Sequence, residues 1–268
     1  MRKDYLISVI MGVHNSSKDK CIRAVQSIEK QTYKNWEFII CDDGSTNDTL
    51  TFLKEIAKKD KRIKLLSTEE NHGLAFALNQ CIKNANGEFI ARMDDDDISL
   101  PDRLELELNF LTSHKEYSFV STNFILESSN GEHIKKMKRV PTKNDFLWSS
   151  PFLHPATMFR KEDLIKVNGY RVANETWRAE DYDLFMRMYI AGMKGYNIQR
   201  SLYKYYIGES EVKKKSKYIY RIYEAHIRFV NFKRLDLPFV KVVMFSIKPL
   251  IVGALPKSVV YLIRVRNK

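Results

Sequence analysis

Four consecutive aspartates, Asp94 to Asp97, stand in the stretch ARMDDDDISLPDRLE (residues 91–105). Adjacent carboxylates repel one another and add nothing to a hydrophobic core, so they form either a solvated acidic turn or a cation site. In an extended segment side chains alternate, which places Asp94 and Asp96 on one side and their neighbours on the other. Two carboxylates on one face suit Mg²⁺ or Mn²⁺, which also takes phosphate oxygens and water. Such an ion neutralises charge on a leaving diphosphate.

The first 125 residues contain the elements that would position these aspartates. Apolar segments predict strands at Leu6–Val13, Glu37–Cys41, Ile63–Leu66, Glu88–Met93 and Phe119–Ile125. Helical patterns between them predict helices at Lys18–Gln31, Thr46–Lys59, Leu74–Asn84 and Pro101–Leu111. Strands that alternate with short helices indicate an α/β fold, with a mainly parallel sheet covered by helices on both faces. In such sheets ligands bind beyond the carboxyl ends of the strands.

Polar residues collect at that edge of the predicted sheet. His14-Asn15-Ser16 come after the first strand, Asp42-Asp43-Gly44-Ser45 after the second, and Asp94–Asp97 after the fourth. Each group alone could cap the next helix. Because all three fall at one edge, the pattern favours a ligand site over three unrelated caps.

Seven segments, in their order and spacing, resemble the family 2 glycosyltransferases, a large inverting group with the GT-A fold. They are SVIMGVHN (8–15), IICDDGSTNDT (39–49), NHGLAFALN (71–79), NGEFIARMDDDDISLPDRLE (86–105), HPATMFR (154–160), NGY (168–170) and AEDYDLFMR (179–187). Together they span about residues 5–190. The resemblance implies a Rossmann-like central sheet and a metal-dependent enzyme that moves a sugar from a nucleotide sugar, with UDP the expected nucleotide, to a hydroxyl group.

The resemblance also implies where the donor and the metal bind. Asp96 is the expected direct ligand of Mn²⁺ or Mg²⁺, and Asp94 contacts the metal or the ribose. The implied nucleotide-sugar contacts are Val13, His14, Asn15, Asp43, Asn71, Gly73, Asp94 and Asp95. The family usually has Pro-Val-Tyr where this chain has Gly12-Val13-His14, so His14 departs from the family pattern.

Asp181, in AEDYDLFMR, occupies the position of the family's catalytic base. Inverting transfer is an in-line displacement at the anomeric carbon, in which the acceptor hydroxyl loses a proton that a carboxylate can take. Two acids in the first turn of a helix also suit the helix dipole. The resemblance further implies acceptor or diphosphate contacts by His154, Glu180 and Arg187. Arg103 is expected to pair with the neighbouring carboxylates.

The formal charge of +12 is concentrated at the C-terminus. Residues 213–268 contain 14 Lys and Arg against two acids, which leaves 31 bases and 31 acids in residues 1–212. We predict a catalytic domain over 1–212 and a basic amphipathic helical region over 213–268, broken at Pro238, Pro249 and Pro256. Lys241 and Lys248 share a helix face within apolar sequence, a pattern typical of a helix lying in a membrane interface. The alternative is a helical region that packs on the core or on a partner subunit.

The expected location is cytoplasmic, at the inner face of the plasma membrane. Cys21, Cys41 and Cys81 lack metal-ligand spacing and indicate reduced thiols. The short apolar run after the N-terminus predicts a buried strand rather than a signal peptide. The expected acceptor is a glycan or lipid-linked sugar in the synthesis of capsular, exopolysaccharide or other surface glycan.

Two other functions compete with sugar transfer. A sugar-nucleotide nucleotidyltransferase shares the architecture, but it needs a glycine-rich basic phosphate loop after the first strand, which HNSSKDK does not provide. A nucleic-acid-binding protein is indicated by the net charge alone, and the acidic edge of a neutral body would repel phosphates in the absence of a cation. We therefore expect no nucleic-acid partner.

Overall fold

The computed structural model describes residues 4–128, 131–206 and 217–254. The predicted basic helical region lies outside these ranges at residues 213–216 and 255–268, and so does the predicted break at Pro256. No helix among the described residues combines the length and apolarity that a membrane crossing requires.

The predicted strands and helices of the first 125 residues are confirmed, with small differences at their ends. The strands are β1 (Ile7–Val13), β2 (Trp36–Asp43), β3 (Ile63–Thr68), β4 (Phe89–Arg92), β5 (Ile98–Ser99), β6 (Phe119–Ser128), β7 (Gly131–Lys135), β8 (Met158–Arg160) and β9 (Gly195–Tyr206). The helices are α1 (Lys18–Glu29), α2 (Thr49–Lys59), α3 (Leu74–Asn84), α4 (Arg103–Ser113), α5 (Lys161–Lys166), α6 (Glu180–Ile190), α7 (Ile219–Arg234) and α8 (Phe239–Ala254). The sequence patterns did not identify β9 as a long strand.

The strands form one sheet in the order β3-β2-β1-β4-β8-β6-β9-β5, with β7 paired to β6. Strands β3, β2, β1 and β4 run parallel, so their carboxyl ends meet at one edge. Strand β8 is antiparallel to both β4 and β6, and β9 runs parallel to β6. The predicted α/β fold with a mainly parallel sheet is confirmed.

Helices cover both faces of the sheet and create two hydrophobic clusters. One cluster packs side chains of α1, α2 and α4 against the sheet, including Leu53 and Leu104. The other packs α3 and α6 against the opposite face, and it also contains Ile227 and Phe232 of α7. Burying side chains of this size stabilises the fold by about 1.5–3 kcal/mol each. Helix α7 is therefore part of this hydrophobic core.

Polar contacts also hold α7 to the body of the protein. Arg228 is 4% exposed and donates a 2.9 Å hydrogen bond to the carbonyl oxygen of Leu147. The Asn231 amide donates to the carboxylate of Asp183 in α6 at 3.1 Å. Since Arg228 and Asn231 are buried, these contacts hold α7 firmly against α6 and the segment around Leu147.

Pro238 separates α7 from α8, as predicted, but the predicted break at Pro249 is wrong. Helix α8 continues through Pro249, which is buried. A proline inside a helix removes one backbone hydrogen bond and strains the preceding turn. The packing of α8 on α7 and Trp148 offsets this cost, with Phe245 of α8 in edge-to-face contact with the Trp148 ring.

Arg103 pairs with Glu107 rather than with the aspartates near it in sequence, which corrects the prediction. Both side chains are fully buried, and Nε of Arg103 lies 3.1 Å from the Glu107 carboxylate. The positions are one helical turn apart in α4, so the two side chains meet on one face. The guanidinium also donates to the Arg92 carbonyl oxygen at 2.9 Å. Arg103 thus fixes the end of β4, from which the acidic segment departs.

Arg103→Met is expected to lower the free energy of unfolding by about 3–5 kcal/mol, because it leaves the Glu107 carboxylate buried without its partner. Denaturant unfolding followed by circular dichroism measures this loss. The double variant Arg103→Met/Glu107→Leu should recover much of the stability, since neither charge then remains buried. A double variant less stable than Arg103→Met would contradict this explanation.

Candidate active site

Asp43, at the end of β2, holds the loop that begins α3. Its carboxylate accepts hydrogen bonds from the backbone N–H groups of His72 at 3.0 Å and Gly73 at 2.6 Å. The Thr68 hydroxyl donates to the same carboxylate at 3.2 Å. These three donors leave about one of the four acceptor positions of a carboxylate for a ligand. The position of Asp43 therefore fixes the backbone of residues 71–73.

The two residues after β1, His14 and Asn15, have different surroundings. His14 is exposed, and its Nδ1 lies 2.8 Å from the Asp43 carbonyl oxygen. Asn15 has φ 51, the left-handed region that asparagine tolerates better than most residues. Its side-chain oxygen accepts the backbone N–H of Thr46 at 2.9 Å. Asn15 thus connects the loops after β1 and β2, which keeps His14 at the edge of the sheet.

A cavity of about 720 Å³, here called the cleft, opens at this edge. One wall contains five of the predicted donor contacts: Val13, His14, Asp43, Asn71 and Gly73. The opposite wall contains Val172, Ala173, Asn174, Thr176, Trp177, Arg178 and Glu180. The volume lies in the range of small-molecule and cofactor sites.

Gly73 is the point at which the two walls touch. It has φ 92, which favours glycine, and a Cβ at this position would lie 3.0 Å from the Trp177 ring. The missing side chain lets the indole of Trp177 rest against the loop of residues 71–73. Both the backbone conformation and the contact require glycine here.

The four aspartates do not alternate as an extended segment would, because Asp95 and Asp96 lie in a turn. Asp94 forms an ion pair with Arg92 of β4, and the Asp96 carboxylate lies 3.5 Å from Nζ of Lys20. Asp97 is 1% exposed and accepts the backbone N–H of Tyr206 at 2.8 Å. The predicted extended conformation of the four aspartates is therefore wrong. The predicted difference between Asp94 and Asp96 on one hand and Asp97 on the other remains, because Asp97 alone of these three is buried.

Asp94 and Asp96 fit a divalent ion that arrives with its substrate. Their side chains are 25% and 24% exposed, and carboxylate oxygens are the hard ligands that Mg²⁺ and Mn²⁺ prefer. Within the described ranges no group of three or more His, Cys, Asp or Glu could hold a metal ion. A metal here would take its remaining ligands from a diphosphate and water, as Mg²⁺ commonly does.

Glu180 and Asp181 occupy the first turn of α6. Burial, with the neighbouring Asp181 charge, raises the pKa of Glu180 to about 7. Burial also raises the pKa of Asp181, while backbone hydrogen bonds and the Arg92 guanidinium act in the opposite direction. A carboxylate with a raised pKa is a stronger base at neutral pH than an ordinary aspartate.

Arg92 of β4 is a buried charge beside the predicted site that the sequence patterns did not identify. Its side chain is 2% exposed, and its positive charge acts on Asp94, Glu180 and Asp181 together. The positive charge of a buried guanidinium reduces the electrostatic repulsion between carboxylates that lie close to one another. The available signal was a charged residue at the end of a strand that is otherwise apolar, in FIARM (89–93).

Seven of the predicted site residues do not line the cleft: Asn15, Asp94, Asp95, Asp96, His154, Asp181 and Arg187. Two of these, Arg187 and His154, have protein partners that occupy their polar atoms. Arg187 donates to the Asp183 carboxylate at 2.7 Å and to the carbonyl oxygens of Gly169, at 2.6 Å, and Val167. His154 is 6% exposed, with Nε2 2.6 Å from the Tyr170 hydroxyl, and burial lowers its pKa well below the usual value. The structure therefore gives no support to ligand contacts by these two side chains. Arg187 instead holds α6 against the turn at 167–169.

The parallel strands, with a cleft at their carboxyl ends and helices on both faces of the sheet, have the architecture of the GT-A glycosyltransferases. The chain belongs to glycosyltransferase family 2: the family model described as glycosyl transferase family 2 matches residues 8–171. A second model, described as the N-terminal domain of galactosyltransferase, matches residues 147–214.

Known relatives and solved structures agree with this assignment. The protein EpsE of Bacillus subtilis (strain 168) is 37% identical over 94% of this chain and 91% of its own length. A UDP-Gal:α-D-GlcNAc-diphosphoundecaprenol β-1,3-galactosyltransferase of Escherichia coli is 28% identical over 94% and 92%. The crystal structure of S. aureus TarS (residues 1–349) with UDP-GlcNAc superimposes with a TM-score of 0.71 at 20% identity, covering 91% of this chain and 71% of that one.

Proposed function

We propose that the protein is a metal-dependent inverting glycosyltransferase that moves a hexose from a UDP-sugar to a hydroxyl of a glycan or lipid-linked acceptor. One observation carries the proposal. Asp94, in the acidic segment after β4, forms an ion pair with the buried Arg92, whose charge also opposes the rise that burial causes in the pKa of Glu180 and Asp181. Glu180 lines the cleft that contains five of the predicted nucleotide contacts. This arrangement suits a diphosphate leaving group and a proton acceptor on either side of one reacting carbon.

The residues divide the reaction between them. Asp96 and Asp94 would hold Mn²⁺ or Mg²⁺, which supplies positive charge to the departing diphosphate. Val13, His14 and Asn71 bind the nucleotide portion of the donor. As the acceptor oxygen bonds to the anomeric carbon, the bond from that carbon to the phosphate oxygen breaks and the hydroxyl proton passes to Asp181. Attack from the face opposite the leaving group inverts the configuration.

The proposed setting is the synthesis of a bacterial surface glycan at the inner face of the plasma membrane. The Escherichia coli relative is named for transfer to a sugar on diphosphoundecaprenol, a lipid carrier. We propose the same class of acceptor for this chain, with residues 1–212 as the catalytic unit. Helix α7 then serves as the connection between that unit and the region that approaches the membrane.

Transfer assays with UDP-glucose, UDP-galactose and UDP-N-acetylglucosamine test the proposal. The acceptor is N-acetylglucosamine diphosphate on a short alkyl chain, with Mn²⁺ or with a chelator, and GDP-mannose serves as the control donor. We expect transfer from one UDP-sugar, loss of transfer with the chelator, and an inverted anomeric configuration by NMR. Transfer from GDP-mannose alone would reject the proposed donor, and retention of configuration would reject the mechanism.

Helix α8 presents an apolar face that we propose lies in the membrane interface. Val240 is 68% exposed and Met244 61%, and Ile247 and Ile251 continue the same face at helical spacing. Lys241 is also exposed beside this face. Exposed apolar residues with adjacent basic side chains are typical of helices that lie on anionic membranes.

Val240→Glu/Met244→Glu is expected to lower the affinity for vesicles containing anionic lipid by at least about 10-fold, because it removes two apolar side chains from the bilayer contact. Co-sedimentation measures the change. Ile134→Glu, at an exposed apolar position on β7, is the matched control and should bind as the wild type does. Deletion of 213–268 is unsuitable, since it removes the buried Ile227 and Phe232. Unchanged binding of the double variant would contradict the proposal.

A further inference from the structure

A second, smaller cavity of about 120 Å³ adjoins the cleft. It is lined by Trp177, Arg178, Ala179, Tyr220, Arg221 and Glu224. Trp177 and Arg178 line both cavities, so the two spaces meet at these side chains. The smaller cavity thus lies between the segment that leads into α6 and the first turns of α7.

Positive charge dominates this smaller cavity. The Arg178 guanidinium lies 5.8 Å from the centroid of the Tyr220 ring, and no carboxylate among the described residues forms an ion pair with it. Glu224 is the one carboxylate among the described lining residues, and it lies 3.0 Å from both Arg221 and Arg228. Arg178 and Arg221 thus bring two positive charges to this cavity against the single carboxylate of Glu224, which also pairs with Arg228, and this excess favours the binding of an anion.

Trp177 presents an aromatic surface where the cavities meet. Its side chain is 44% exposed even though one edge rests against Gly73, and it stands four residues before Asp181. An indole exposed to solvent in a cleft gains by covering an apolar surface, such as the C–H face of a sugar ring. Arg178 has φ 66, a conformation that costs a non-glycine residue about 1–2 kcal/mol. This strained backbone conformation occurs at the position where Arg178 and Trp177 line both cavities.

We propose that Trp177, Arg178 and Arg221 form the acceptor subsite, with the acceptor sugar on the Trp177 ring and its phosphate groups between the two guanidinium groups. Arginine binds phosphate through paired N–H groups, which gives both charge and orientation. The segment containing Trp177 leads directly into α6, so a sugar on the indole is held next to Asp181. This inference rests on the proposed function and specifies the acceptor as a sugar that carries phosphate.

Two acceptors with the same sugar separate the roles of the side chains: one carries a diphosphate and a short alkyl chain, and the other is a neutral alkyl glycoside. Arg178→Gln/Arg221→Gln is expected to raise KM for the diphosphate acceptor by at least about 10-fold relative to KM for the neutral one, because charged hydrogen bonds are lost. Trp177→Ala should raise KM for both acceptors, and Trp177→Phe should restore much of the loss. Arg200→Gln, which alters an exposed pair with Asp102, is the control.

Calorimetric titration of the diphosphate acceptor without donor gives a second readout that does not require catalysis. The double arginine variant should bind the diphosphate acceptor more weakly while binding UDP and Mn²⁺ as the wild type does. Equal losses for the two acceptors, or unchanged binding of the diphosphate acceptor, would overturn the subsite. A wild-type protein that binds this acceptor but transfers no sugar would instead overturn the proposed function.

Discussion

Asp181→Asn is expected to lower kcat by about 10²–10⁴-fold, because an amide of the same shape cannot take the proton of the acceptor hydroxyl. The affinity for UDP with Mn²⁺ should stay within about threefold of the wild type, since the predicted nucleotide contacts lie on the other wall of the cleft. Transfer kinetics and calorimetric titration of UDP separate the two effects. The variant should therefore bind its donor and transfer almost no sugar.

Glu175→Gln is the matched control for this experiment. Glu175 precedes α6, is partly exposed, and pairs with Arg171 at 3.5 Å. Its replacement should leave kcat within about twofold of the wild type, since exposed ion pairs contribute little. If Asp181→Asn retained more than about a tenth of kcat, the general base would lie elsewhere. Glu180, whose pKa burial raises to about 7, would then be the next residue to replace.

Asp96→Ala is expected to weaken the binding of UDP in the presence of Mn²⁺ by at least about 10-fold. The loss of groups that merely support a metal ligand typically costs 10–100-fold in metal affinity, so the loss of a direct ligand should cost as much or more. The variant should also lose the difference between titrations with Mn²⁺ and with a chelator. In the native protein the Lys20 ammonium lies 3.5 Å from the Asp96 carboxylate. The variant therefore loses this ion pair as well as the proposed metal ligand.

Asp102→Ala controls for a general effect of removing an acid near β5. Asp102 is 36% exposed and pairs with Arg200 at 2.6 Å, away from the acidic turn. Its replacement should leave nucleotide binding unchanged, because an exposed ion pair contributes about 0–1 kcal/mol to stability. Metal-dependent titration heats that persist in Asp96→Ala would contradict the assignment of Asp96. Asp94 would then carry the metal without it.

The sequence predicted the sheet and the edge that carries the site, because both depend on periodicity and on the residue types at the carboxyl end of each strand. Alternating strands and helices place the ends of β1, β2 and β4 together, and the structure brings Val13, Asp43 and Asp94 to that edge. Hydrogen bonds between residues that are far apart in sequence could not be predicted in this way. The hydrogen bonds of Arg228 to Leu147 and of Asn231 to Asp183 depend on how α7 returns to the core, which no local pattern encodes.

Predictions from local patterns were wrong where the same residues are compatible with more than one structure. Four aspartates are compatible with an extended segment and with a turn, and the structure contains the turn. Arg103 stands near the aspartates in sequence, but one helical turn brings Glu107 closer. Arg187 matches the family pattern, yet Asp183 and two backbone carbonyl groups take its donors. In each case the partner is set by three-dimensional packing rather than by sequence spacing.

The contact between Gly73 and Trp177 has a thermodynamic consequence. The loop of residues 71–73 belongs to the wall with the nucleotide contacts, and Trp177 belongs to the wall proposed for the acceptor. A Cβ at Gly73 would lie 3.0 Å from the Trp177 ring, so the two surfaces are in van der Waals contact and a shift of either one toward the other displaces its neighbour. A donor that orders this loop would thereby set the position of the indole, and the acceptor would do the same in reverse. If donor and acceptor each bind better with this contact in place, linkage requires each to raise the affinity of the other by the same factor.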